Sequence, residues 1–323
     1  MVVIAKHAPL LEKLGLSRLE QVKAFQGDLV KDHRGRRDIF RIRTTDPDGD
    51  ERVWFLKRNW KPYRKDGLMS LLRHGRVWSQ SRQEWENSRT LEEAGLTVAG
   101  LVAHGEDCGP LWEHFSFLIT EAASGAQTVE EFIAVCRDRA LRLRVFDALA
   151  RTICKMHDAG LASPDLFTRH LFVNPDRAVP EFCLIDMARL DRRRRVPPTL
   201  RARDLAALNL TAPLRFVSGK ERLRFLRAYA GGVDRRLFAR IRDRVAYLLQ
   251  KRRKYQDFLK PGTLGHPAPN PWKKNNMGSV PTIDNAAWLR HSAADGAQAP
   301  TRASARGLSR DESREPTRTD LPG

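Results

Sequence analysis

The spacing of apolar positions divides the chain into a front part that reads as strands and a later part that reads as helices. Ile39-Phe40-Arg41-Ile42-Arg43 alternates with period two, Thr44 to Asp50 supplies turn residues, and Val53-Trp54-Phe55-Leu56 resumes the extended pattern. This predicts a hairpin-like pair. Gln80 to Glu93 is a charged run of good helix formers, with Gly95 as its stop. Phe115 to Thr120 reads as a buried strand, and Thr128-Val129-Glu130-Glu131 has the form of an N-cap with Glu at the third helical position, opening a helix toward Cys136.

Farther on, Leu149, Ile153 and Met156 make one stripe at helical spacing, and Val233, Leu237, Ile241, Val245 and Leu248 make another. Between them lie Leu171-Phe172-Val173 and Phe182-Cys183-Leu184-Ile185, separated by a turn at Asn174-Pro175-Asp176. The pattern therefore predicts a strand-rich N-terminal part and a helix-rich C-terminal part with one embedded hairpin. From about Pro261 proline and glycine recur and periodicity disappears. Residues 261–323 have too little apolar surface to offset their ordering entropy and are expected to form a disordered tail.

Composition narrows the classes. With 323 residues, 41% hydrophobic and 30% charged, the chain has room for one two-lobed domain or two small ones, and a collagen, a disulfide scaffold and a wholly disordered chain are excluded. The longest apolar runs are strand-length, well short of the about 20 residues a membrane span needs. Met1 to His7 has neither a basic start nor a small-residue cleavage site, so a cytoplasmic chain is expected. Cys108, Cys136, Cys154 and Cys183 lie far apart with no C-x-x-C pair, which argues against a zinc knuckle or redox motif; reduced, mostly buried thiols are expected.

Charge changes the picture more. Lys+Arg 58 against Asp+Glu 39 leaves +19; the tail, with 8 basic and 6 acidic residues, carries +2, so +17 belongs to residues 1–260. Such a surplus attracts phosphates, on nucleic acid, on anionic lipid or on a phosphorylated small substrate.

Polar residues at the edges of apolar runs are the candidates for chemistry, because a carboxylate beside a buried strand must be hydrogen-bonded, paired or metal-bound. Lys57, Asp165 and Asp186 stand out. If the two short apolar runs pair, Asp165, His170 and Asp186 meet at one end of the hairpin. Two carboxylates and an imidazole in one cleft suit a magnesium-bound nucleotide and a hydroxyl to be deprotonated. Each residue alone also has a plain reading: a lysine at a solvated strand end, an aspartate capping a turn, a histidine satisfied in a core.

Taken together, these residues resemble a protein-kinase-like fold, most closely the lipopolysaccharide kinase (Kdo/WaaP) family, over roughly residues 25–230. Phe55-Leu56-Lys57-Arg58 resembles the third strand, whose lysine pairs with the α/β-phosphates, and Glu84 resembles the helix glutamate that holds it. Phe117 to Ala122 resembles the hinge strand, which puts Glu121 among the nucleotide contacts. Met156-His157-Asp158-Ala159-Gly160-Leu161 with Asp165 to His170 resembles the catalytic loop: Asp165 as general base, and His170 in place of the metal-binding asparagine. Leu184 to Arg189 resembles the metal motif, with Asp186 as ligand, and Arg203 to Leu208 a family helix start. Ser163-Pro164 stands where ordinary kinases read His-Arg, and the segment around Gly27 has one glycine where a phosphate loop has three.

The resemblance implies an α+β, two-lobed fold: an N-terminal extension at 1–24, a β-rich lobe at 25–122, a helical lobe at 123–260 and the tail at 261–323. It implies a kinase using ATP and Mg²⁺ to phosphorylate a lipid-linked sugar, heptose or Kdo of the lipopolysaccharide inner core, at the inner membrane. The basic, aromatic-dotted stretch from Arg58 to Trp78 is read as a face for an anionic membrane surface beside the cleft, and Arg192 to Arg195 as a substrate-side or solvated run. The other readings are a kinase of another small molecule or of protein, or a kinase-like binding module without turnover that uses its charge on anionic lipid or nucleic acid. Nucleic acid is the least supported partner.

Overall fold

The computed structural model describes residues 1–60, 70–72, 75–125, 127–212 and 216–251. The expected tail at 261–323 lies outside the described residues.

The N-terminal lobe is built on a six-stranded antiparallel sheet in the order β1-β6-β7-β4-β3-β2. Its strands are β1 (Val2–Val3), β2 (Asp28–Asp32), β3 (Arg37–Thr45), β4 (Glu51–Asn59), β6 (Leu101–Cys108) and β7 (Glu113–Glu121); β5 (Thr97–Val98) belongs to another sheet. The predicted β3–β4 hairpin forms, with Ile39 opposite Lys57, and Asp46 closes its turn by accepting the Asp48 and Asp50 backbone N–H groups.

Alternation along β4 divides its side chains between two faces. Trp54, Leu56 and Arg58 point toward helices α1 (Ala8–Lys13) and α2 (Leu19–Ala24), whose Leu10, Leu11 and Val22 fill the core there together with Leu16 between them. Residues 1–24 are thus packed into this lobe, adding a strand and two helices to it. Lys57 points to the opposite face, where helix α3 (Gln80–Glu93) sets Trp85 against Leu101 and Leu118. Ser79 caps α3 through the Arg82 N–H, and Gly95, at φ 70, ends it as its sequence predicts.

The helical lobe holds α4 (Val129–Val135), α5 (Arg139–Asp158), α6 (Pro198–Thr211), α7 (Gly219–Ala230) and α8 (Arg235–Lys251). Thr128 and Glu131 form the expected capping box on α4. Leu149, Ile153 and Met156 share one core with Leu237, Ile241, Val245 and Leu248. Val233, read as part of that last stripe, precedes α8 and is exposed, because the helix begins two residues later.

Four short strands carry the site into this lobe: β8 (Gln127–Thr128), β9 (Leu161–Ala162), β10 (Leu171–Asn174) and β11 (Glu181–Leu184). The predicted β10–β11 hairpin forms with Leu171 opposite Leu184, and β5 adds to β11 in parallel. A last strand, β12 (Asp191–Arg192), pairs with β9. This hairpin brings His170 and Asp186 to the same end, since the Ile185 N–H donates to the His170 carbonyl at 3.0 Å.

Candidate active site

Lys57 and Glu84 face each other because strand alternation puts Lys57 on the α3 side of the sheet. The Lys57 ammonium donates to Glu84 Oε1 at 2.5 Å and stands 3.5 Å from Asp186 Oδ1. Glu84 is buried, so its charge depends on that pairing. Arg37, at the start of β3, joins from above: its guanidinium lies 3.3 Å from Asp186 Oδ1 and 3.9 Å from Glu84 Oε2. Its Nε is buried and has no hydrogen-bond partner among the described residues.

Asp186 sits just past β11 with φ 59, a left-handed conformation that costs a non-glycine residue free energy and turns its side chain into the cleft. Lys57, acting against the opposing effect of burial and together with Arg37 and His170, holds its carboxyl well below the usual carboxylate range. His170 Nε2 lies 3.7 Å from Asp186 Oδ2, while Nδ1 is 2.9 Å from the Asp165 carbonyl. Burial pushes the His170 imidazole toward its neutral form. With a carbonyl at Nδ1, the ring carries its proton there, and Nε2 accepts from Arg169 Nε at 3.3 Å.

Asp165 sits on the loop after β9. Its carboxylate receives a bidentate pairing from Arg189, with Nε to Oδ2 at 2.5 Å and a second bond from a terminal nitrogen to Oδ1. The loop is anchored below by Asp204 on α6. That fully buried carboxylate accepts the Ser163 backbone N–H at 2.6 Å and the Arg203 guanidinium at 2.7 Å, and it lies 3.3 Å from His157 Nε2.

The structure therefore brings Lys57, Glu84, Asp165, His170 and Asp186 into one cleft. It adds Arg37, Arg189 and Asp204, to which the sequence reading assigned no role. Glu121 stands apart from this cluster: its N–H donates to the Gly100 carbonyl at 2.7 Å, and its carboxylate lies 3.5 Å from His7 Nε2. Among the described residues no group of three or more His, Cys, Asp or Glu is placed to hold a metal. Asp186 supplies a carboxylate of the kind that holds magnesium together with substrate phosphates, with the His170 imidazole 3.7 Å beside it.

The basic, aromatic stretch needs correction at its start. Arg58 points into the lobe, where Asp38 grips it at 2.8 and 2.9 Å and the carbonyls of Val22, Lys23 and Phe25 accept from it. Trp60 donates to Asp38 and packs on Phe115 at 4.7 Å. Arg58 thereby holds α2 to the sheet and presents no interface; residues 61–69, 73 and 74 of that stretch lie outside the described residues. Arg192 donates to Glu86 O and Asn87 Oδ1 on α3, whereas Arg193, Arg194 and Arg195 remain exposed.

Comparison with known proteins decides what this arrangement belongs to. The model of the lipopolysaccharide kinase (Kdo/WaaP) family matches residues 20–229. The chain belongs to that family. It is 31% identical over 227 residues to the lipopolysaccharide core heptose(I) kinase WaaP of Pseudomonas aeruginosa, covering 67% of this chain and 81% of the relative. It is 24% identical to the Escherichia coli protein described in the same words, covering 67% of this chain and 82% of that one. Among solved structures, WaaP in complex with acyl carrier protein is similar with a TM-score of 0.55 and 28% identity, over 80% of this chain and 100% of that one. The α+β, kinase-like reading of the sequence is thereby shown.

Proposed function

We propose that this protein transfers the γ-phosphoryl group of ATP to a heptose hydroxyl of the lipopolysaccharide core. The observation that carries the reading is the ion-pair set of Lys57, Glu84 and Asp186 in one cleft with Asp165. Heptose is preferred over Kdo because both curated relatives are heptose(I) kinases.

Lys57, held by Glu84, pairs with the nucleotide's phosphates, and Arg37 adds a second cation on the same side. Asp186, with His170 beside it, would hold Mg²⁺, which when bound would neutralise charge on the phosphates. Asp165 orients the acceptor hydroxyl and takes its proton as the oxygen attacks the γ-phosphorus and ADP leaves. The protein contributes mainly positioning and charge neutralisation, as expected for phosphoryl transfer. No helix among the described residues is long and apolar enough to cross a membrane. We place the protein on the cytoplasmic side, meeting its lipid-linked acceptor at the membrane face, with the +17 of residues 1–260 favouring an anionic surface. Acyl carrier protein, present in the solved relative, is carried over as a proposed partner.

The test is transfer of labelled γ-phosphate, with Mg²⁺, to purified lipopolysaccharide. Label in the glycolipid with the unmodified protein, and none with Asp165→Ala or Asp186→Ala, supports the reading. Label confined to Kdo after mild acid cleavage moves the acceptor from heptose to Kdo. Absence of nucleotide binding overturns the enzyme reading.

A further inference from the structure

Asp165, the base of the proposed transfer, is already occupied. Arg189 donates to both of its carboxylate oxygens, the two atoms that would receive a hydroxyl proton. The two partners differ in surroundings: the Arg189 side chain is 62% exposed and that of Asp165 is 14% exposed. The arginine therefore covers the carboxylate from its solvent-facing side. Its neighbours in the site behave differently, since Lys57 is only 12% exposed and held by Glu84 from within.

A bidentate guanidinium–carboxylate pair is among the stronger side-chain contacts, and it is best exchanged for another of the same kind. A neutral hydroxyl cannot replace Asp165 as the partner of Arg189. A carboxylate or phosphate on the acceptor can. We infer that Arg189 is an acceptor-recognition residue that doubles as a latch. Without acceptor it covers Asp165; an acceptor with an anionic group beside its reacting hydroxyl draws the guanidinium onto itself and uncovers the base. This rests on the kinase reading above, with Asp165 as base, and it narrows the acceptor to a sugar with an anionic group next to the phosphorylated position.

The latch has a second consequence. With ATP bound and no acceptor, water can attack the γ-phosphorus: its oxygen forms the new P–O bond, the β,γ-bridging bond breaks toward ADP, and Asp165 takes the proton. Arg189 on Asp165 suppresses that loss.

The experiment uses the full chain and its Arg189→Ala, Arg189→Lys and Asp165→Ala/Arg189→Ala variants. A fluorescent ATP analogue measures nucleotide affinity, phosphate release measures hydrolysis without acceptor, and purified lipopolysaccharide serves as the acceptor probe. The expected result is unchanged affinity, acceptor-independent hydrolysis raised at least severalfold by Arg189→Ala, and that rise removed in the double variant. Arg189→Lys, which offers a point charge without the fork, falls between. With lipopolysaccharide, Arg189→Ala raises the acceptor KM by a larger factor than it lowers kcat. Hydrolysis no faster in Arg189→Ala, or hydrolysis and transfer lost together at unchanged affinity, overturns the latch and leaves the kinase reading standing. An unmodified protein that binds no nucleotide overturns that reading, and the latch with it.

Discussion

The buried carboxylate of Asp204 accepts the backbone N–H of Ser163 at 2.6 Å. This bond ties the loop that carries Asp165 to helix α6. It supplies an anchor at the very place where Ser163-Pro164 replaces the His-Arg of ordinary kinases. The same carboxylate engages Arg203 and stands beside His157, whose Nδ1 is 2.6 Å from the Tyr229 hydroxyl. Asp204→Ala leaves these buried donors without an acceptor, and the expected loss of stability is about 3–5 kcal/mol. Asp204→Asn keeps one acceptor oxygen and should lose less. Denaturant unfolding measures both.

Removing the cation at the centre of the cleft acts on rate. Lys57→Ala is expected to lower phosphate transfer by about 10²–10³, the usual effect of deleting one preorganised electrostatic contact. Glu84→Ala should cost less, because Asp186 remains 3.5 Å from the Lys57 ammonium and still orients it. Steady-state kinetics at saturating ATP distinguishes the two.

Arg37 offers a guanidinium to the phosphate side of the cleft with its Nε unsatisfied. A charged hydrogen bond is worth about 1.5–3 kcal/mol, so Arg37→Ala is expected to weaken ATP binding by roughly tenfold or more. Arg37→Lys should recover part of it. Titration calorimetry reads the effect directly.

His104 gives the protein a pH-dependent stability. It is 6% exposed, packs on Trp85 at 4.7 Å, and burial lowers its pKa from 6.5 to about 4. Between these values the unfolded chain takes a proton that the folded one refuses. Stability is therefore complete above pH about 6.5 and falls as pH drops toward about 4, by up to about 3 kcal/mol. His104→Phe should flatten this part of the stability curve, as thermal melts across the pH range will show.

Much of the fold was legible because the deciding signals are local. The period-two run of β3, the stop at Gly95 and the Thr128–Glu131 capping box each involve residues only a few positions apart, and each forms as read. The pairing of β10 with β11 then placed His170 beside Asp186, which the spacing alone had indicated. Arg58 misled for a definite reason: a basic residue next to aromatics reads as surface, yet on β4 it shares the inward face with Trp54 and Leu56 and is satisfied by Asp38.

Arg37 was missed because its role depends on register. It lies two residues from Ile39, which pairs with Lys57, so both cations occupy one face of the sheet. Nothing in the run Arg34-Gly35-Arg36-Arg37 distinguishes it from its neighbours. Arg189 and Asp204 lay inside recognised motifs, but their partners Asp165 and Ser163 are 24 and 41 residues away.

The sequence by itself determined the elements, their caps and the residue types available for chemistry, because propensity, periodicity and capping act over a few residues. Only the tertiary structure decided which of them meet. Arg37 and Asp186 are 149 residues apart in the chain and 3.3 Å apart in space. That closeness depends on strand register, on α3 docking through Trp85 and on the turn at Asp186. Such contacts are stabilised by the packing of the whole domain, so no local run of residues encodes them.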